Sequence, residues 1–187
     1  GNQFLAHIRD VDAIIHTIRI FKDDKISHIE GNVDAARDIE IVETELLFKD
    51  IESVDKRLEK IKKTIRLKDK EAIEELNVLE IILEKMNNGR LAKDIVLEEK
   101  QKKTVKNLQL LTNKPMLYLG NIDEMDLFHP QQNENIKNLL SFAENRKIDT
   151  TLLCGNLESE ISNLLEKEKR EFLQEYNLKE PGLNILI

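Results

Sequence analysis

Three strands separated by helices, with a long helical hairpin inserted after the first strand, is the architecture this sequence predicts: an α/β fold built on a parallel sheet. Three observations predict it. Met116, Leu117, Tyr118 and Leu119 form a short apolar run of the kind buried on both faces of a parallel sheet. Two further strand-like runs, ending at Phe21 and Cys154, flank it in the chain with helical patterns between. Leu47, Ile51, Val54, Leu58, Ile61 and Ile65 recur at spacings of 4, 3, 4, 3 and 4 residues, a sustained a/d heptad seam.

Taken in order, residues 3–9 read as a short helix with Phe4, Leu5 and Ile8 on one face, and 12–21 as a β-rich strand. Polar residues from Lys22 to Asp38, with Gly31-Asn32, read as a loop. The heptad seam predicts a helix over 38–66, on the order of 40 Å long at about 1.5 Å per residue. Lys68, Asp69 and Lys70 make a polar turn, and Ala72, Leu76, Leu79, Leu83 and Met86 form a second seam ending at Asn87-Asn88-Gly89, a helix C-cap. Two seams joined by a short turn predict an antiparallel helical hairpin. A helix over 98–111, the strand after Pro115, a helix over 135–146, a strand over 149–154 and one or two helices over 158–176 complete the reading.

Composition excludes several classes. The 187 residues are 35% charged and only 4% aromatic, with no Trp, which suits long solvated helices better than a β-sandwich. A net charge of −7 argues against a chain that wraps nucleic acid over its whole surface. A single cysteine, Cys154, leaves no intramolecular disulfide and no cysteine-based zinc site. No apolar run approaches the roughly 18 residues of a membrane span, so no membrane partner is expected and the cytoplasm is the expected location.

The chemistry concentrates where the central strand stops. In open α/β sheets ligands sit outside the carboxyl ends of the strands, and there the chain reads Asn121, Ile122, Asp123, Glu124. An asparagine can both donate to and accept from a purine edge, and a nearby carboxylate can accept from base N–H groups. This is the logic of the N-K-x-D element of GTP-binding proteins, with Ile122 in place of Lys and Glu124 in place of Asp. The plain alternative is an ordinary strand end followed by a polar turn.

With the heptad insertion placed between strands, the chain resembles the YchF-type Obg-like ATPases, a branch of the P-loop NTPases. The resembling stretches are Gly1–Arg9, Asp12–His16, Phe21–Asp24, His28–Gly31, Val33–Asp34, Arg37–Glu40 and Thr44–Leu46, then Leu111–Tyr118, Asn121–Glu124 and Glu180–Leu183. The resemblance implies the rear half of a parallel-sheet G domain (1–39 and 112–187) interrupted by an inserted helical coiled-coil domain (40–111). It implies that the phosphate-binding loop and the Mg2+ ligands precede Gly1 and that a TGS domain follows Ile187. No G-x-x-x-x-G-K-[ST] occurs within the chain, so catalytic residues are not expected here and the chain alone is expected to lack ATPase activity.

By the same resemblance Asn121, Ile122 and Glu124 contact the base, Cys154, Gly155 and Asn156 stand at the second base-contacting strand end, and Phe21 packs against the ring. The parent would bind and hydrolyse ATP, or GTP, with Mg2+ as cofactor, in association with translation. The Glu-for-Asp exchange fits an adenine preference, because guanine offers N1–H and N2–H₂ to a carboxylate while adenine offers only N6–H₂ near that edge.

Other residues read more plainly. His7, His16, His28 and His129 are scattered without metal-ligand spacing; His16, inside an apolar strand, is expected as a hydrogen-bonded core residue. Cys154 reads as a small packing residue, Asp23-Asp24 as a solvated loop and the remaining carboxylates as helix surface. Between residues 50 and 104 there are 14 Lys or Arg and 13 Asp or Glu, yet Lys60, Lys62, Lys63 and Arg66 cluster on the first helix of the hairpin. They read either as a solvated face or as a phosphate-contacting patch for RNA or the ribosome. The competing function class is therefore a helical interaction module on an α/β scaffold. Finally, the strand ending at Phe21 is expected to leave an open sheet edge, through which the chain would self-associate.

Overall fold

The structure, a computed structural model, describes residues 7–21, 33–65 and 69–186. The chain divides into two compact units, Ile15–Ile39 with Met116–Ile187, and Gly1–Ile14 with Glu40–Pro115.

The first unit holds a three-stranded sheet of β1 (Ile14–Arg19), β2 (Met116–Asn121) and β3 (Thr150–Leu153), in that order across the sheet. β2 and β3 run parallel, with Tyr118 opposite Thr150 and Asn121 opposite Leu153. The Ile14 N–H donates to the Pro115 carbonyl and the Ile20 N–H to the Asn121 carbonyl, both at 2.9 Å, so β1 also runs parallel to β2. Central position explains the apolar run: Tyr118 and Leu119 are buried, as both faces of a middle strand must be. Gly120 sits in close packing: a Cβ there would lie 2.7 Å from Leu152 Cδ2 and 2.9 Å from Leu139 Cδ2, so both leucine side chains would have to shift.

The strand at 12–21 is shorter than its sequence suggests, and the loop before the long helix ends earlier. Helix α1 (Ala35–Thr64) starts at Ala35 because the Asp34 side chain accepts from the Arg37 N–H at 3.1 Å, a capping interaction not read from the sequence. His16 is also not the hydrogen-bonded core residue expected. Its Nδ1 is buried without a partner among the described residues and its ring meets Tyr118 edge-on at 5.9 Å; burial pushes its pKa below the ordinary value. The expected helix at 3–9 and loop at 22–32 fall largely outside the described residues.

The second unit contains the remainder of α1, α2 (Lys70–Asn87) and α3 (Glu99–Leu108). Asp69 caps α2 by accepting from the Ala72 N–H at 3.1 Å. The seam residues Leu47, Val54, Leu58 and Ile61 of α1 and Leu79 and Met86 of α2 share one apolar cluster. That cluster is broader than a two-helix seam: Val78 and Ile82 widen the buried face of α2, and Val105 of α3, Ala92, Ile95 and Leu110 join it. α3 stops at Leu108 rather than 111, because Gln109 turns left-handed at φ 49° and lets Leu110 and Leu111 turn inward. Arg57 of α1 makes a bidentate pair with Glu75 of α2 at 2.6 and 2.8 Å.

Between β2 and β3 lie α4 (Glu124–Phe128) and α5 (Glu134–Arg146), and after β3 come α6 (Gly155–Asn163) and α7 (Glu166–Glu175). Ile136, Leu139 and Ala143 of α5 and Leu157 and Ile161 of α6 join Ile18, Ile20 and Tyr118 in the sheet core. α4 carries too little apolar pattern, over five residues, to announce itself in sequence.

Candidate nucleotide-base site at the end of the sheet

Asn121 ends the central strand, and its atoms tie three strand ends together. Its carbonyl accepts from the Ile20 N–H at 2.9 Å and the Phe21 N–H at 3.3 Å, which fixes the end of β1. Its side-chain Oδ1 accepts from the Gly155 N–H at 2.9 Å, the first residue of α6 after β3. Because an N–H must point at oxygen, this bond also fixes the amide orientation and leaves Nδ2 without a hydrogen-bond partner among the described residues. A Cβ on Gly155 would sit 3.2 Å from Asn121 Oδ1, so glycine is what lets the backbone approach this closely. The Ile122 N–H donates to the Leu153 carbonyl at 3.0 Å and extends the pairing one residue beyond the strands.

The sequence-predicted residues separate into two kinds at this end. Ile122 and Cys154 are 2% and 3% exposed and their side chains belong to the core, so only their backbone can face a ligand. A lysine at 122, as in N-K-x-D, would bury a charge here. Asn121 and Gly155 are hydrogen-bonded to each other, and Asn156 is exposed in the first turn of α6, where helix amides lack intrahelical partners. Phe21 and Glu124 line a common cleft of about 810 Å³ with Ile20, Asp123, Met125, Asp126 and residues 132–135. The Arg19 guanidinium lies 5.8 Å from the centre of the Phe21 ring.

Four carboxylates, Asp123, Glu124, Asp126 and Glu134, stand around that cleft. An acidic rim repels phosphate and favours N–H donors, so this end suits the edge of a base. Glu124 opens α4, and its Oε1 accepts from the Tyr176 hydroxyl at 2.5 Å. That contact pushes the Tyr176 pKa up to about 12, chiefly through the hydrogen bond to the carboxylate. Among the described residues no group of three His, Cys, Asp or Glu side chains could hold a metal ion.

Three carboxylates, Glu43, Asp50 and Glu158, are buried and depart from the helix-surface expectation. Glu158 on α6 is 8% exposed and accepts from the Gly182 N–H at 2.7 Å and the Leu183 N–H at 3.2 Å, which ties the segment after α7 to the sheet unit. Asp50, fully buried in α1, accepts from the Leu111 N–H, the Thr112 N–H and the Thr112 hydroxyl. The position of Glu158 beside Leu157 and Ile161 on the apolar face of its helix was the available signal. Neither Tyr176 nor Asp50 carries any local signal of its partner.

On α1, Lys60, Lys62 and Lys63 are exposed. Lys62 pairs with Glu80 at 2.9 Å and Lys63 with Glu59 at 3.8 Å, while Lys60 has no ion-pair partner among the described residues. Arg66 lies outside the described residues.

No family model matches the chain. Over all 187 residues it is 41% identical to the ribosome-binding ATPase YchF of Bacillus subtilis. Over 189 aligned positions it is 40% identical to the protein of that name from Mycoplasma genitalium. The chain spans about half the length of these curated relatives, 51% of each. Among solved structures, the Schizosaccharomyces pombe YchF GTPase matches the whole chain with a TM-score of 0.84 at 31% identity, over 52% of its own length.

Proposed function

We propose, from the premise that this chain is a YchF-family segment, that its sheet end reads the purine base of ATP, or of GTP, within a translation-associated P-loop nucleotide hydrolase. Asn121 Nδ2 donates to a ring acceptor of the purine, the backbone of Gly155 and Asn156 borders the base, Phe21 packs on its face, and Glu124 accepts from an exocyclic N–H. Ile122 and Cys154 hold this arrangement from inside the core. Hydrolysis, in this reading, belongs to the phosphate side of the nucleotide.

The single observation that carries this reading is the Asn121 clasp, in which one residue fixes the ends of β1 and β3 while its Nδ2 has no hydrogen-bond partner among the described residues. The relatives' names, ATPase in one case and GTPase in the other, support nucleotide binding. A competition assay on the full-length gene product tests it. ATP, GTP and CTP would displace a fluorescent ATP analogue; purine nucleotides should compete at least about tenfold better than CTP, and Asn121→Ala should erase the difference. Equal competition by CTP would sink base reading at this site.

The name ribosome-binding ATPase, borne by the relatives, favours a second role for the helical unit. Lys60, Lys62, Lys63 and Arg66 would contact ribosomal phosphates in the cytoplasm, with Lys60 the cation most ready to do so. Self-association of the 187-residue chain through the outer edge of β1 is also part of this reading, supported by β1 pairing with β2 alone among the described residues. Sedimentation showing a monomer at high concentration would overturn that.

A further inference from the structure

We infer that Tyr176 is the positioning residue that sets the base preference of this site, by holding one oxygen of the Glu124 carboxylate. This rests on the reading of Glu124 as a base contact given above.

The geometry has three parts. The first is the bond itself: the Tyr176 hydroxyl donates to Glu124 Oε1 at 2.5 Å across 52 residues of sequence. The second is the seating of the ring. It stacks on Phe128 at 6.0 Å between centroids and 27° between planes, and lies 4.9 Å from Phe172. Phe128 stands four residues after Glu124 on α4, so the tyrosine grips that helix twice, once by its ring and once by its hydroxyl. The third part is the backbone below it. α7 closes as the Asn177 N–H donates to the Gln174 carbonyl at 3.1 Å and the Leu178 N–H to the Leu173 carbonyl at 2.8 Å, with Asn177 left-handed at φ 54°. Tyr176 is therefore presented by a fixed helix end.

The consequence is stereochemical. Guanine offers N1–H and N2–H₂ side by side, and a carboxylate takes both only when its two oxygens lie in the plane of the base. A carboxylate whose Oε1 is turned to a seated tyrosine takes its plane from the tyrosine, and Oε2 is left as the outward acceptor. One acceptor suits adenine, which presents N6–H₂ as its single donor group near that edge. A phenol keeps its proton throughout the neutral range, so the grip does not lapse near neutral pH.

The test is Tyr176→Phe in the full-length gene product, which keeps the ring between Phe128 and Phe172 and removes only the hydroxyl. ATP and GTP affinities are measured by calorimetry for wild type, Tyr176→Phe, Glu124→Ala and the double variant. The expected result is a rise of about fivefold or more in GTP affinity relative to ATP for Tyr176→Phe. The double variant should match Glu124→Ala, because the tyrosine acts only through that carboxylate. A merely structural tyrosine would lower both affinities together and leave their ratio alone. An unchanged ratio in Tyr176→Phe, with Glu124→Ala shifting it, overturns the role of Tyr176 and leaves the base site standing. A ratio indifferent to Glu124→Ala removes the base contact itself, and the inference with it.

Discussion

Replacing Asp50 by alanine should cost the helical unit more than any other single truncation on α1. The carboxylate is 0% exposed and accepts three hydrogen bonds: the Leu111 N–H at 2.8 Å, the Thr112 N–H at 2.8 Å and the Thr112 hydroxyl at 2.7 Å. The same hydroxyl accepts from the Ala92 N–H at 3.0 Å, so one side chain organises three segments of chain. Alanine leaves two buried amides and a hydroxyl without an acceptor, at about 1–3 kcal/mol each. Relief from burying a carboxylate, the cause that pushes the Asp50 pKa up, offsets part of that loss. The net expectation is about 3–5 kcal/mol, comparable with breaking a buried pair and a large share of a typical 5–15 kcal/mol stability. Urea denaturation followed by far-UV circular dichroism reads the loss, and hydrogen exchange at Leu111 and Thr112 locates it. A loss below about 1 kcal/mol, with both amides still slow to exchange, would refute the reasoning.

Asp50→Asn gives a pH test: the folded pKa of Asp50 is raised, so its stabilising contribution is present below the ordinary 3.8 and is lost as pH rises through the folded value. Wild type should lose stability relative to the asparagine variant over that interval; a relative gain would mean that the three donors outweigh burial. His16 titrates in the opposite sense to an ordinary stabilising histidine. Its folded pKa lies below 6.5, so stability falls as pH drops through 6.5, and His16→Leu should flatten that fall in thermal melts between about pH 7 and 5. Gly155→Ala should open the Asn121 clasp and weaken ATP binding by the full-length product with only a small change in melting temperature. Charge reversal at Lys60, Lys62 and Lys63 should weaken ribosome co-sedimentation and reduce its salt dependence; unchanged binding at low salt would reduce these lysines to solvation.

What could be read from sequence was what repeats or stops locally. The heptad spacing of α1 and the apolar run of β2 announced the long helix and the central strand, because helix and strand faces are periodic. The end of β2 at Asn121 was legible too, because the change from apolar to polar coincides with the carboxyl edge of the sheet, where the candidate site is proposed. What escaped were contacts made across the chain. Asp50 sits in the heptad helix like any surface acid, and its partners lie 61 and 62 residues away. Tyr176 is unremarkable until α7 brings it to Glu124. The Asp34 cap escaped for a different reason: the polar stretch around it masked the one aspartate with the right spacing to the helix. Burial also divided the predicted site, since a sequence of strand-end residues does not say that Ile122 and Cys154 point inward.

The central claim is that the base of a purine nucleotide lies against the Asn121 clasp. Backbone amide chemical shifts of the isotope-labelled full-length gene product, recorded with and without ATP, test it most directly. The account predicts that, on this segment, the largest changes fall at Phe21, Asn121, Glu124, Gly155 and Asn156, and that Asn121→Ala abolishes them while the amides of α2 and α3 stay still. Saturable ATP binding that leaves those five amides unmoved would contradict it.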